Sequence, residues 1–86
     1  MRKPRLRDTV TTRELDGEVV VLEPVSSRLL HLNGMAGLIL LHCDGEHTEA
    51  EIVESLRVAV QGADPELLAR DVAATLDTLE REKVVL

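Results

Sequence analysis

The chain has 86 residues, 44% of them apolar and 30% charged, with no Phe, Tyr or Trp and a formal net charge of −6. That length holds one small domain with an aliphatic core, not a core plus a deep substrate cleft. All sixteen acids lie from Asp8 onward, against six of the ten bases, so the body of the chain is repelled by phosphate backbones and lacks the aromatic platforms on which single-stranded nucleic acid stacks.

Residues 1–8 form a basic head with Arg2, Lys3, Arg5 and Arg7. The head contains Pro4 and has no apolar periodicity. It reads as a flexible, solvated segment ahead of a single domain at 9–86, with the steering of an acidic partner as the alternative role. No apolar stretch follows it, as a signal peptide would require. The longest run without Asp, Glu, Lys or Arg, 29–43, is too short and too polar to span a membrane. Cys43 is the only cysteine, which rules out an internal disulfide and fits a reducing cytoplasm.

Residues 9–32 read as β structure. "TVTTREL" is rich in β-branched residues, and Asp16-Gly17 before "EVVVLEP" is a strong hairpin signal. "PVSS" at 24–27 makes a second turn and "RLLHL" a third short strand, so an antiparallel three-strand meander is the simplest arrangement. Asn33 then caps "GMAGLILLHC", a helix apolar nearly all round and therefore buried, ending at "CDG" with Gly45 as the left-handed residue. Thr48 and Glu51 form a capping box for a second helix, with Ile52, Leu56, Ala59 and Val60 at helical spacing. "QGADP" breaks it. Asp64 caps and Pro65 opens a third helix running to about residue 83, with Leu68, Val72, Leu76 and Leu79 as its apolar stripe. "VVL" closes the chain as a docked tail or a short strand. Strands followed by helices make an α+β fold.

The densest polar stretch is "HCDGEHTEAE" at 42–51. Start and stop chemistry accounts for its residues: His42 suits the negative end of helix one, Asp44-Gly45 ends it, and Glu49 and Glu51 suit the positive end of helix two. A metal site on His42, Cys43 and His47 is the sharper alternative. Adjacent helical residues diverge by about 100°, however, and His42 and Cys43 cannot easily converge on one ion. Cys43 has no base and orienting partner in sight, so it reads as a small buried apolar residue. With no phosphate loop or nucleophile motif either, the chain reads as a non-enzyme needing no cofactor or metal.

Function is better placed on strand three. Strand one carries threonines, Arg13 and Glu14, which blunt an edge. "SRLLHL" has no proline or lysine and sets Leu29, Leu30 and Leu32 along the other edge of the meander. Such an edge accepts an extended peptide as an added strand, unless helix three or the C-terminal tail covers it. Beside the stripe of helix three, Leu67, Asp71, Ala74, Thr75 and Thr78 recur at spacings of three and four; they suit either a groove or a solvated face.

Three stretches, "DGEVVVLEPVSSRLLHLN", "GLILLHCDGEHTEAEIVESL" and "DPELLARDVAATLDTLEREKVV", together resemble the PqqD-like family, the stand-alone recognition elements for ribosomally synthesised precursor peptides. The resemblance runs from about residue 8 to the end. It implies a winged-helix-like fold and a binding role. The leader of a precursor peptide would lie as an added strand on strand three, in the groove against helix three. Carried onto this chain, that implicates Ser27, Arg28, Leu29, Leu30, His31 and Leu32, with Leu67, Arg70, Asp71, Ala74, Thr75 and Thr78. The implied partners are that leader and a downstream modifying enzyme or leader peptidase, as in lasso-peptide, pyrroloquinoline quinone or other radical-SAM pathways. The stand-alone length leans toward the lasso case. Family members often carry aromatics in strand three, where this chain has Leu29, Leu30 and His31. A free edge also allows either a monomer or a strand-paired dimer. The competing expectations are a winged-helix DNA-binding regulator, which the charge opposes, and a small subunit that only stabilises a larger enzyme.

Overall fold

A computed structural model describes residues 2–25 and 27–86. Met1, in the basic head, and Ser26, in the second turn, lie outside the described residues. The order is β1 (Thr11–Leu15), β2 (Glu18–Glu23), β3 (Arg28–Leu32), α1 (Gly34–Leu41), α2 (Glu49–Ala59) and α3 (Pro65–Arg81). The strands form one antiparallel sheet in the order β1-β2-β3. This is the α+β arrangement of a meander followed by three helices.

The hairpin sets the register of the whole sheet. Asp16 and Gly17 both take positive φ, 50° and 82°, the signature of a two-residue type I′ turn. Leu15 opposite Glu18 therefore closes the hairpin as a hydrogen-bonded pair, followed by Arg13 with Val20 and Thr11 with Leu22. The alternate residues of β2 turn their amides and carbonyls the other way. Val19, Val21 and Glu23 thus bond to Leu32, Leu30 and Arg28 of β3. By the same alternation, Leu29 and His31 direct their backbone groups away from the sheet.

The pleat decides what is buried. Val19 and Val21 face the helices and are almost fully covered, while Leu22 and Leu29 on the opposite face are 38% and 55% exposed. Leu30 and Leu32 pack part-buried against the core. The helices begin where capping residues place them. Asn33 accepts from the amide of Ala36, Thr48 and Glu51 form a reciprocal capping box, and Asp64 accepts from the amide of Glu66 ahead of Pro65. The apolar stripe of α3, Leu68, Val72, Leu76 and Leu79, meets Ile39 of α1 and Ile52 and Leu56 of α2 in a core without aromatic side chains. Ala59 stays exposed and Val60 half-buried, so the apolar face of α2 is narrower than its spacing suggests.

Two sequence expectations are corrected. The first is the flexible head: residues 2–7 are held in place. Pro4 is fully buried. The amide of Leu6 donates to the carbonyl of Cys43, that of Arg7 to Val84, that of Gly45 to Pro4, and that of Leu86 to Arg5. The Arg2 guanidinium binds Glu49, Asp77 and Glu80, the latter two at 2.9 and 3.0 Å. Burial pulls the Arg2 pKa down, but these three carboxylates outweigh it and raise it above the usual arginine value. The Arg2 charge, read from sequence as part of a solvated end, is one of the ties that dock the segment. The second is helix one, which ends at Leu41 rather than running to Cys43. The backbone of Cys43 and Asp44 is engaged instead by the head, with Asp44 bridged to Arg5. The C-terminal tail docks likewise: Val84 and Val85 are buried and Val85 pairs with Leu6. Among the described residues, no helix is long and apolar enough to cross a membrane.

Candidate functional site

The edge of β3 away from β2 carries no strand or bridge among the described residues. The tail that was a candidate to cover it lies against Leu6 instead. Beside this edge, a groove of about 220 Å³ runs between β3, α1 and α3, lined by Leu32, Ala36, Ala74, Thr75, Thr78 and Leu79. Its helical wall is built of small side chains because the large ones of α3 point into the core. Space for a side chain from outside is left as a result.

The structure brings together only some of the sequence candidates. Leu32, Ala74, Thr75 and Thr78 share the groove. Leu30 faces the same layer from the middle of β3. Leu67, Arg70 and Asp71 are exposed and continue the same helical stripe one to two turns toward the start of α3. Leu29 and His31 are exposed on the opposite sheet face, and their backbone groups point away from β2. Ser27 precedes the strand: it takes φ 56° and its amide closes the turn on the carbonyl of Pro24 at 3.3 Å. A second hollow of about 350 Å³, at the start of β3, takes in Leu22, Glu23, Pro24, Ser27, Arg28 and Leu29.

Arg28 crosses from the start of β3 to the end of α3. Its Nη1 donates to Glu82 Oε2 at 2.5 Å and its Nη2 to the Glu82 carbonyl. Sequence reasoning missed Ala36, Leu79 and Glu82. Leu79 sits in the core stripe and only its flank reaches the groove. Ala36 and Glu82 belong to elements whose packing is tertiary, and no local pattern marks them.

The 42–51 stretch is engaged elsewhere. His42 Nδ1 lies 2.7 Å from the Leu38 carbonyl, and the Cys43 thiol donates to the Ile39 carbonyl at 3.3 Å. Burial, helped by Asp44, pushes the Cys43 thiol up to about 12, far from a nucleophile's range. No group of three or more His, Cys, Asp or Glu that could hold a metal ion occurs among the described residues. Asp44 accepts from the amides of Glu46 and His47 and from His47 Nδ1, the last at 2.9 Å. The Glu46 amide and the His47 ring hold the Asp44 carboxyl below its usual 3.8, and Asp44 in turn raises His47 above 6.5. The signs fix a window. Asp44's contribution to stability is present above about 3.8 and is lost as pH falls through its lowered folded value. His47's is present below about 6.5 and is lost as pH rises through its raised folded value. Urea titrations should therefore show the wild type's advantage over His47→Asn largest between about pH 4 and 6.5 and shrinking toward pH 8. An advantage that grows with pH would contradict this pairing.

Comparison with known proteins places these features in context. The family model described as coenzyme PQQ synthesis protein D (PqqD) matches residues 18–85. No functionally curated protein matches the sequence. Among solved structures, a lasso peptide synthetase B1 complexed with the leader peptide superposes with a TM-score of 0.84 and 25% identity, covering 99% of both chains. TbiB1 in complex with the TbiA(beta) leader peptide superposes with a TM-score of 0.83 and 22% identity, covering 94% of this chain and 93% of that one. The second likeness, at its lower identity, speaks for the fold.

Proposed function

Because this chain belongs to the PqqD family, we propose that it captures the leader of a ribosomally synthesised precursor peptide as a fourth strand on the outer edge of β3, in the groove against α3. In this role the protein is a cytoplasmic binding element without catalysis of its own. It presents the leader to a modifying enzyme or leader peptidase.

The open β3 edge carries this reading. Unpaired amides and carbonyls on Leu29 and His31 supply affinity that is indifferent to sequence, and the groove beside them supplies selectivity. Side chains of an added strand alternate, so every second one enters the groove formed by Leu32, Ala36, Ala74, Thr75 and Thr78. The others lie on the solvent face beside Leu29 and His31. Leu67, Arg70 and Asp71 extend the track along α3. The leader-bound state of the lasso synthetase neighbour, at 99% coverage and 25% identity, supports peptide capture and a lasso-peptide pathway over pyrroloquinoline quinone or other radical-SAM pathways. The acidic body of the chain opposes duplex DNA as the partner, and Arg2 of the basic head is already matched by three carboxylates.

The test is an NMR titration with a synthetic leader from a precursor encoded in the same gene neighbourhood. The amides of Leu29 and His31 should shift most and become protected from exchange, with Thr75 and Thr78 shifting as the groove fills. Binding that leaves the β3 amides unmoved, or no binding at all, would reject strand addition. A strand-paired dimer would use the same edge, so leader and second copy should compete.

A further inference from the structure

We propose that Arg28 is a specificity-determining residue that selects an acidic side chain at one fixed position of the captured peptide. This rests on the peptide-capture reading above and deepens it.

A strand added to β3 bonds through the backbone of Leu29 and His31. The peptide side chains set opposite Arg28, Leu30 and Leu32 are then in the non-hydrogen-bonded register, where side chains of neighbouring strands come closest. Opposite Leu32 and Leu30 they meet the apolar wall. Opposite Arg28 they meet a guanidinium. For a strand antiparallel to β3, the pattern read is apolar-x-apolar-x-acidic.

The state of Arg28 favours a carboxylate there. Glu82 engages Nη1 and Nη2, but the Arg28 Nε is buried with no hydrogen-bond partner. A guanidinium has five N–H donors in a fixed fork, and a buried donor left unmade is costly. An incoming carboxylate can accept from the Nη N–H groups that Glu82 leaves open, without displacing Glu82. A basic side chain at that position would face the guanidinium's like charge, and an apolar one would cover those open N–H groups without matching them. Arg28 and Glu82 side chains are 39% and 36% exposed, so the pair is reachable from solvent at the start of β3.

The probe is a displayed library of random 12-residue peptides, panned against the wild type, Arg28→Gln, Arg28→Glu and Arg28→Lys. Wild-type selections should show two alternating apolar positions, with Asp or Glu enriched two residues beyond them. Arg28→Gln should keep the apolar pair and lose the acidic preference, Arg28→Lys should keep both, and Arg28→Glu should turn the preference to Lys or Arg. For one selected peptide, changing its acid to the amide should weaken wild-type binding about five-fold and leave Arg28→Gln binding unchanged, the coupling expected of a cross-strand ion pair. Should Arg28→Gln fail to fold, Glu82→Gln carries the test: removing the neighbouring carboxylate should sharpen the acidic preference. Alternating apolar peptides without acidic enrichment, or an unchanged preference in Arg28→Glu, would overturn the role of Arg28 and leave peptide capture standing. Failure of the wild type to select any alternating peptide would overturn both.

Discussion

Replacing Leu29 by proline should weaken leader binding by about 30- to 150-fold, or about 2–3 kcal/mol, in a domain that still folds. The choice of residue follows from the register. Leu29 turns its amide outward, so proline there removes no bond to β2, and proline is tolerated on edge strands whose N–H faces solvent. The lost amide accounts for about 0.5–1.5 kcal/mol, and the ring standing in the path of the added strand for the remainder. Leu30→Pro is the informative contrast. Leu30 faces Val21 in a hydrogen-bonded pair, so proline there breaks the β2–β3 ladder and should destabilise the domain itself. Calorimetric titration for affinity and circular dichroism for folding separate the two. An unchanged affinity in folded Leu29→Pro would remove strand addition as the mode of capture.

Gly37→Ala should lower the unfolding free energy by about 1–3 kcal/mol, although alanine is the better helix former. In an exposed helix the exchange would gain up to about 1 kcal/mol. Here a Cβ on Gly37 would stand 2.6 Å from Val19 Cγ2 and 3.2 Å from Val19 Cβ. Valine in a strand is stiff at χ1 and cannot swing away, so α1 must lift from β2. Combining the change with Val19→Ala should cost less than the sum of the single changes, because the second truncation makes room for the first. Urea unfolding of the two single variants and the double variant measures this. The neighbouring Ala36 lines the groove beside β3, so if the proposed capture holds, a lifted α1 should also weaken leader binding. A stabilised Gly37→Ala would show that α1 does not rest on Val19 in solution.

Much of the fold was legible because its signals are local. Asp16-Gly17 needs positive φ at two successive residues, Thr48 and Glu51 satisfy each other's backbone, and Pro65 lacks an amide that the first turn of a helix does not need. The stripe Leu68, Val72, Leu76 and Leu79 follows from helical periodicity alone, and all four are buried. The head was misread for the opposite reason. Arg2, Pro4 and Leu6 have no periodic pattern, and their partners Glu49, Asp77, Glu80, Gly45, Cys43 and Val85 are distant in sequence. The site was half legible. The apolar run of strand three named Leu30 and Leu32 without separating them from Leu29, and helical spacing named Ala74, Thr75 and Thr78 along with Leu67 and Asp71. Arg28 was singled out only as part of the strand, since its link to Glu82 spans 54 residues.

The amino-acid order alone determined where the chain turns, which faces of its strands and helices are greasy, and that β3 carries no residue that guards an edge. Those properties depend on φ preferences, caps and side-chain period within a few residues. Tertiary packing alone decided that the tail goes to Leu6 and leaves β3 open, that Ala36 joins α3 in one groove, and that Arg28 reaches Glu82. Each of these is a meeting of segments remote in sequence, settled by how the aliphatic core stacks rather than by any neighbouring residue.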